Sequence, residues 1–183
     1  MAVKDTAEGY GLVSRWLHWG MALAIFVVFG IGYWMVGLDY QSPYYRIGPD
    51  IHRSVGILLL LVLGLRVLWR VLNVKPSDTE LTAFESKASH FVHWAFYALL
   101  AAIMVSGYFI SSADGQAVDV FNWFSVPAIT KQPGLETTAG FYHRWLAYAT
   151  LALTALHTIA ALKHHFSDKD QILRRMWSGP PPS

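Results

Sequence analysis

Eight histidines and no cysteines set the chemistry open to this chain of 183 residues. Without thiols there is no disulfide, no thiolate iron–sulfur ligation and no C-x-x-C-H attachment of haem, so imidazole is the strong metal ligand left. Two histidines stand out by spacing. His143 and His157 lie in HRWLAYATLALTALHTIAALK, an apolar stretch at 143–163. Fourteen residues are close to four helical turns, so the two side chains fall within about 40° of one helix face, roughly 21 Å apart along its axis. Ionisable groups inside a membrane-length run point to function. Two of them on one face, at two depths, predict two stacked metal centres.

The elements that must supply partners are three further apolar runs. Residues 16–38 hold no Asp, Glu, Lys or Arg and carry His18 at their start; residues 52–72 open on His52; residues 90–113 open on His90 and His93. Each is long enough to cross about 30 Å of hydrocarbon. The composition agrees: 54% hydrophobic, 14% charged and 15% aromatic with eight Trp, against about 25% charged in soluble domains. The chain therefore reads as one all-α domain, an integral membrane four-helix bundle over 1–183, in contact with lipid. A net charge of +2 gives no basis for a nucleic-acid partner, and none is expected. No secretory signal is evident, because the first apolar run is too long for an h-region and no cleavage site follows it.

The connections differ in character. Residues 39–51 form a loop marked by prolines and a glycine, and 73–89 a polar link. Residues 114–142 form the longest loop, whose aromatic patch VFNWF at 120–124 favours a short interfacial helix or a lid. A basic tail follows the fourth run and ends proline-rich at 180–183. Lys4, Arg15, Arg70, Lys75, Lys87, Lys163, Lys169, Arg174 and Arg175 fall on one side of the bundle, and Arg46, Arg53, Lys131 and Arg144 on the other. That excess puts both termini in the cytoplasm.

Because the runs alternate in direction, depths can be matched. His52 meets His143 near the outer face, and His18 meets His157 near the inner face. Each pair offers two imidazoles from two helices, as six-coordinate b-type haem requires, so the bundle is expected to enclose two haem b groups. His93 also sits at the inner end and could take the place of His18. Ala22, Gly56 and Ala147 lie one turn beyond His18, His52 and His143, and Gly32 and Gly107 stand at the outer level, where flat rings need room. His90, His164 and His165 read as interfacial residues. Arg53 and Arg144 each follow an outer histidine, placed for haem propionates or for steering an anion. Arg66 lies as deep as the inner pair and needs a partner; a propionate or a quinone carbonyl would serve. Arg66, Arg70, His90 and His93 are the inner-side candidates for quinone or propionate contacts, and the aromatic outer loop is the outer-side rival.

WLHW at 16–19, the block at 51–70 with His52, Arg66 and Arg70, HFVH at 90–93, and the stretch from His143 through HHF…KD…LRRM to Met176 together resemble the bacterial cytochrome b561 family, over nearly the whole chain. The resemblance implies axial ligands at His18, His52, His143 and His157. It also implies a superoxide:ubiquinone oxidoreductase of the bacterial inner membrane, with superoxide giving its electron on the outer side, oxygen released and ubiquinone as acceptor. A second class of function is an electron-transfer subunit that anchors a dehydrogenase or hydrogenase partner and reduces quinone. A third is a histidine-lined zinc site or transporter without haem. A homodimer or a redox partner subunit is compatible with each.

Overall fold

The structure is a computed structural model and describes residues 2–179; the proline-rich end expected at 180–183 lies outside the described residues. Four long helices dominate: α1 (Leu12–Met35), α2 (Ile47–Leu72), α3 (Ala83–Ser112) and α4 (Leu135–Lys163). A hairpin of β1 (Val118–Val120) and β2 (Phe124–Val126) lies between α3 and α4. A π-helical turn at His164–Asp168 and a short α5 (Ile172–Trp177) follow α4. All four long helices have the length and apolar character to cross a membrane.

The helices start earlier than the apolar runs do, and of the four long helices α3 alone has a side-chain cap at its start. α3 begins at a capping box. The Thr82 hydroxyl accepts from the Glu85 N–H at 3.3 Å, and the Glu85 carboxylate accepts from the Thr82 N–H at 3.0 Å. This is the T-x-x-E start signature. α2 begins at Ile47 and takes in Pro49, which the sequence reading leaves in a loop. A proline in the first turn costs little, since its missing N–H would have no helical partner there. α4 begins after Gly134, whose φ of 84° suits glycine. At the N-terminus the Asp5 carboxylate accepts from the Gly11 N–H and the Ser14 hydroxyl, both at 2.7 Å.

α1 packs on α2, α2 on α3 and α3 on α4. α1 approaches α4 through the Phe29 and Tyr148 rings, 6.5 Å apart. The central core is Met21, Leu59, Leu63, Leu100 and Met104. It is small because the outward faces need no cover in lipid: Trp16, Leu61, Phe91 and Trp145 are all more than half exposed.

The mostly helical bundle agrees with the all-α expectation apart from this small hairpin, which takes the place of the short interfacial helix that was one of the two expectations, with a lid, for residues 120–124. Val118 and Val120 alternate inward against Ile57, while Phe121 and Asn122 turn the chain at φ 49° and 57°. Asn tolerates that region readily and Phe does not. The turn is held by α2: the Ser54 hydroxyl accepts from the Phe121 N–H at 3.2 Å and donates to the Asp119 carbonyl at 3.4 Å. From α3, the Tyr108 hydroxyl donates to the Pro127 carbonyl at 2.7 Å and accepts from the Ile129 N–H at 3.1 Å. The hairpin is thus a fixed cap on one end of the bundle, here called the hairpin end.

At the opposite, terminal end, α5 is strapped down. The Trp19 indole donates to the Met176 carbonyl at 3.0 Å, Arg175 pairs with Glu80, and Lys163 joins Glu85 at 3.0 Å to Asp168 at 2.8 Å. Ser54→Ala leaves the Phe121 N–H without its acceptor, at a cost of about 1–3 kcal/mol. Hydrogen exchange is expected to show faster amide exchange over residues 118–126 in this variant, with the four long helices unchanged; unaltered hairpin exchange would show that Ser54 does not hold it.

Candidate functional site

α4 presents His143 toward the hairpin end and His157 toward the terminal end. At the hairpin end the His52 and His143 rings face each other with centroids 6.0 Å apart. Each ring reaches across to a neighbouring helix. His52, on α2, donates from Nδ1 to the Val28 carbonyl of α1 at 3.0 Å. His143, on α4, donates from Nδ1 to the Ile103 carbonyl of α3 at 2.8 Å, with the Ser106 hydroxyl oxygen 3.1 Å away. A carbonyl can only accept, so each Nδ1 carries the proton and each Nε2 is left with a free lone pair. That is the tautomer a metal ligand needs.

Two glycines make these bonds possible. A Cβ on Gly32 would stand 2.8 Å from His52 Cε1, and one on Gly107 would stand 3.1 Å from His143 Cε1. Gly32 is four residues after Val28 and Gly107 four after Ile103, so each helix forms the same notch: an accepting carbonyl and, one turn on, no side chain. The sequence reading places both glycines at this level to make room for flat rings. The rings they accommodate are the imidazoles. Gly56 and Gly140 line the cavity, with no atom within 4 Å of an added Cβ.

Three imidazoles meet at the terminal end. His157 is 6.4 Å from His18 and 5.8 Å from His93, ring centre to ring centre, with the Phe96 ring at 5.5 Å. Arg66 donates from Nη2 to His18 Nδ1 at 2.9 Å, and His93 Nδ1 faces the Ser89 hydroxyl at 3.4 Å. The expected inner pair and its rival therefore both stand beside His157, but a guanidinium only donates, so His18 Nδ1 accepts and its proton lies on Nε2; Arg66 must turn away from His18 for Nε2 to serve as a ligand. Arg66 makes no ion pair with a carboxylate among the described residues. Arg70 lies beside Tyr10; burial pushes the Tyr10 phenol above its ordinary value, and the adjacent Arg70 pulls it back. His90 stands apart, facing Lys75 at 2.5 Å and the Ser86 carbonyl at 2.7 Å.

A cavity of about 1680 Å³ runs the length of the bundle and touches both levels. Ordinary small-molecule pockets occupy roughly 300–1,000 Å³. Arg53 and Arg144 line it beside the hairpin-end pair. Arg53 pairs with Asp50 at 2.9 Å, yet its Nε is buried with no partner among the described residues.

The donor set discriminates among metals. Nitrogens about 2 Å from a shared metal place two ring centres about 6 Å apart, close to both observed spacings. A structural zinc site needs four protein ligands, and the hairpin-end level offers two imidazoles facing each other across open space. A planar ligand supplying four further nitrogens fits that arrangement, and the unpartnered Arg53 Nε and Arg66 suit its carboxylates. Elsewhere, Glu85, His164 and Asp168 come close enough to hold a cation, but Lys163 already bonds both carboxylates.

The notches and the Ser106 contact are not legible in the sequence, since a backbone acceptor has no residue type; the Gly32 and Gly107 positions are their one visible trace. Gly32→Ala is expected to push the His52 ring off the Val28 carbonyl and lower the haem content of the purified chain, while Gly20→Ala, which faces open space, leaves it unchanged. A pyridine-haemochrome assay of both variants checks this, and equal haem content in the two would contradict the notch.

Comparison with known proteins agrees with the donor set. The sequence profile of the prokaryotic cytochrome b561 family matches residues 9–179. The chain is 43% identical over 181 residues to "cytochrome b561 homolog 2" of Escherichia coli (strain K12), covering 96% of this chain and 95% of that protein. It is 26% identical over 170 residues to "probable superoxide oxidase CybB" of Yersinia pestis, covering 91% and 94%. It is 22% identical over 165 residues to "cytochrome b561 homolog 1" of Escherichia coli (strain K12), covering 88% and 92%. A membrane-length helical bundle with facing imidazoles around a central cavity, matched by this profile almost from end to end, belongs to the prokaryotic cytochrome b561 family of haem b membrane electron carriers.

Proposed function

We propose that this chain binds two haem b groups and transfers electrons from superoxide at the hairpin end to ubiquinone. The observation that carries the reading is the pairing of both α4 histidines with imidazoles of other helices, 6.0 Å apart at one level and 6.4 Å at the other. His52 and His143 are the ligands proposed at the hairpin end, and His18 and His157 those at the terminal end. Haem b with two imidazole ligands supplies reversible one-electron transfer, with a potential set by its ligands and their hydrogen bonds.

The protein's own groups have distinct tasks. The Val28 and Ile103 carbonyls hold His52 and His143 in the ligating tautomer. Arg53, through its unpartnered Nε, and Arg144 suit propionates at the hairpin end, and their charge raises the local concentration of an anion. Arg66 has no carboxylate partner among the described residues and suits a propionate or a quinone oxygen at the terminal end. Arg70 and His93 line the cavity on that side, while His90 stands apart against Lys75. The balance is simple. Two superoxide anions lose one electron each and leave as oxygen, while one ubiquinone takes two electrons and two protons. The Lys and Arg excess supports a bacterial inner-membrane orientation with the terminal end and both termini in the cytoplasm.

The Yersinia pestis relative supports superoxide by its name. The more similar Escherichia coli relative carries no substrate in its name, which leaves a second reading: an electron-transfer subunit that anchors a dehydrogenase or hydrogenase and reduces quinone. A redox partner that co-purifies, with no superoxide activity in the isolated chain, would select it.

Dithionite reduction of the purified chain is expected to give split Soret and α bands and two haems per chain; without them the reading fails. His52→Ala and His143→Ala should each lose the hairpin-end haem, and His157→Ala the other. Loss of the terminal-end haem in His93→Ala but not in His18→Ala would move that ligand to α3. Superoxide-driven ubiquinone reduction should slow as ionic strength rises, because screening shortens the reach of Arg53 and Arg144; a rate independent of salt would remove steering from the account.

A further inference from the structure

The two imidazoles at the hairpin end are held by equivalent notches, yet their hydrogen bonds differ. His52 Nδ1 meets one acceptor, the Val28 carbonyl at 3.0 Å. His143 Nδ1 meets two: the Ile103 carbonyl at 2.8 Å and Ser106 Oγ at 3.1 Å. The Ser106 hydroxyl spends its own proton on the same carbonyl, at 2.8 Å. Its oxygen therefore faces His143 with lone pairs only, and the ring N–H is shared between two oxygens. Ser106 lies one residue before Gly107, the notch residue against the His143 ring, so the hydroxyl and the gap beside it come from adjacent positions on α3.

From this geometry we infer that Ser106 is a positioning residue for His143 that sets the potential of the hairpin-end haem separately from the terminal-end haem. The inference rests on the haem reading above. A second acceptor on Nδ1–H draws the proton away from the ring and makes Nε2 a stronger donor to iron. A stronger donor favours the ferric state and lowers the potential. Among the described residues no imidazole at the terminal end has two acceptors on its Nδ1. There His18 Nδ1 faces a guanidinium, which only donates, and His93 Nδ1 faces the Ser89 hydroxyl at 3.4 Å. The two levels thus differ in the hydrogen bonding behind their ligands as well as in depth.

Potentiometric titration of the purified holoprotein tests this, with the hairpin-end wave identified as the one absent from His52→Ala. Ser106→Ala should retain both haems and raise the hairpin-end potential by a roughly three- to tenfold shift in the ferric:ferrous ratio, about 30–60 mV at 59 mV per decade for one electron. The terminal-end wave should stay in place. Ser106→Thr keeps the hydroxyl and should restore the original value. Threonine hydroxyls bond back along a helix elsewhere in this chain, Thr150 to the Leu146 carbonyl and Thr154 to the Thr150 carbonyl, both at 2.8 Å. Low-temperature EPR should show a change in the ferric signal of the hairpin-end haem alone. If the alanine chain does not retain haem, Ser106→Cys carries the same test, because a thiol is a weaker acceptor of similar size and should shift the same wave in the same direction. An unmoved hairpin-end wave, both waves moving together, or a threonine chain that behaves like alanine would each overturn the inference. An unmodified chain without two waves would instead overturn the haem reading itself.

Discussion

Two ring N–H groups donated to backbone carbonyls of neighbouring helices are the contacts on which the hairpin end of this protein depends. His52 reaches from α2 to α1, and His143 reaches from α4 to α3. A single kind of bond therefore joins helices in pairs, selects the tautomer of each ring and turns both Nε2 atoms toward the shared cavity. The carbonyls remain accessible because a glycine follows each after one helical turn. The outcome is a pair of imidazoles spaced for a metal between them, held by main chain rather than by flexible side chains. A ligand held this way loses little further freedom when a cofactor binds, which is how preorganisation supports affinity.

The membrane explains why such a molecule tolerates a large cavity. A soluble bundle of this size would need a continuous packed core, whereas here the core reduces to a few residues of α1, α2 and α3. Lipid covers the outer faces, and helix association rests on packing and interhelical hydrogen bonds. A cofactor held in the cavity would complete the packing of the bundle. Haem binding and bundle stability would in that sense be one process, as they are for metal sites that form with the fold.

The two ends differ in how they close. The hairpin caps one end through α2 and α3, with Ser54 and Tyr108 bonding main-chain groups of the hairpin and the segment after it. The terminal end closes with ion pairs, Lys163 with Glu85 and Asp168, and Arg175 with Glu80. Main-chain closure at one end and charged closure at the other match the sequence asymmetry, in which most Lys and Arg lie on the terminal side. Belonging to the cytochrome b561 family gives this asymmetry a direction of use, because a membrane electron carrier needs distinct faces for donor and acceptor.

Much of this was legible in the chain itself. Long uncharged runs can only be helices in hydrocarbon, where every backbone group must bond within its own segment. The fourteen-residue interval on α4 dictates two depths on one face, since helical geometry is independent of context. Depth alone could not choose between His18 and His93, because both lie at the same level; side-chain direction depends on how α1 and α3 rotate against α4, and the structure brings both rings to His157. Nor could it show the notches at Val28 and Ile103, since a carbonyl carries no signature in the residue type. The hairpin was not foreseen, a short interfacial helix or a lid being expected there, because strands of three residues are too short for periodicity to register. Their conformation, with Phe121 held at positive φ, is imposed by Ser54 and Ile57 of a helix distant in sequence. What the residue order determined was set by local geometry and by the exclusion of water. What the tertiary structure decided was which polar groups meet across helices.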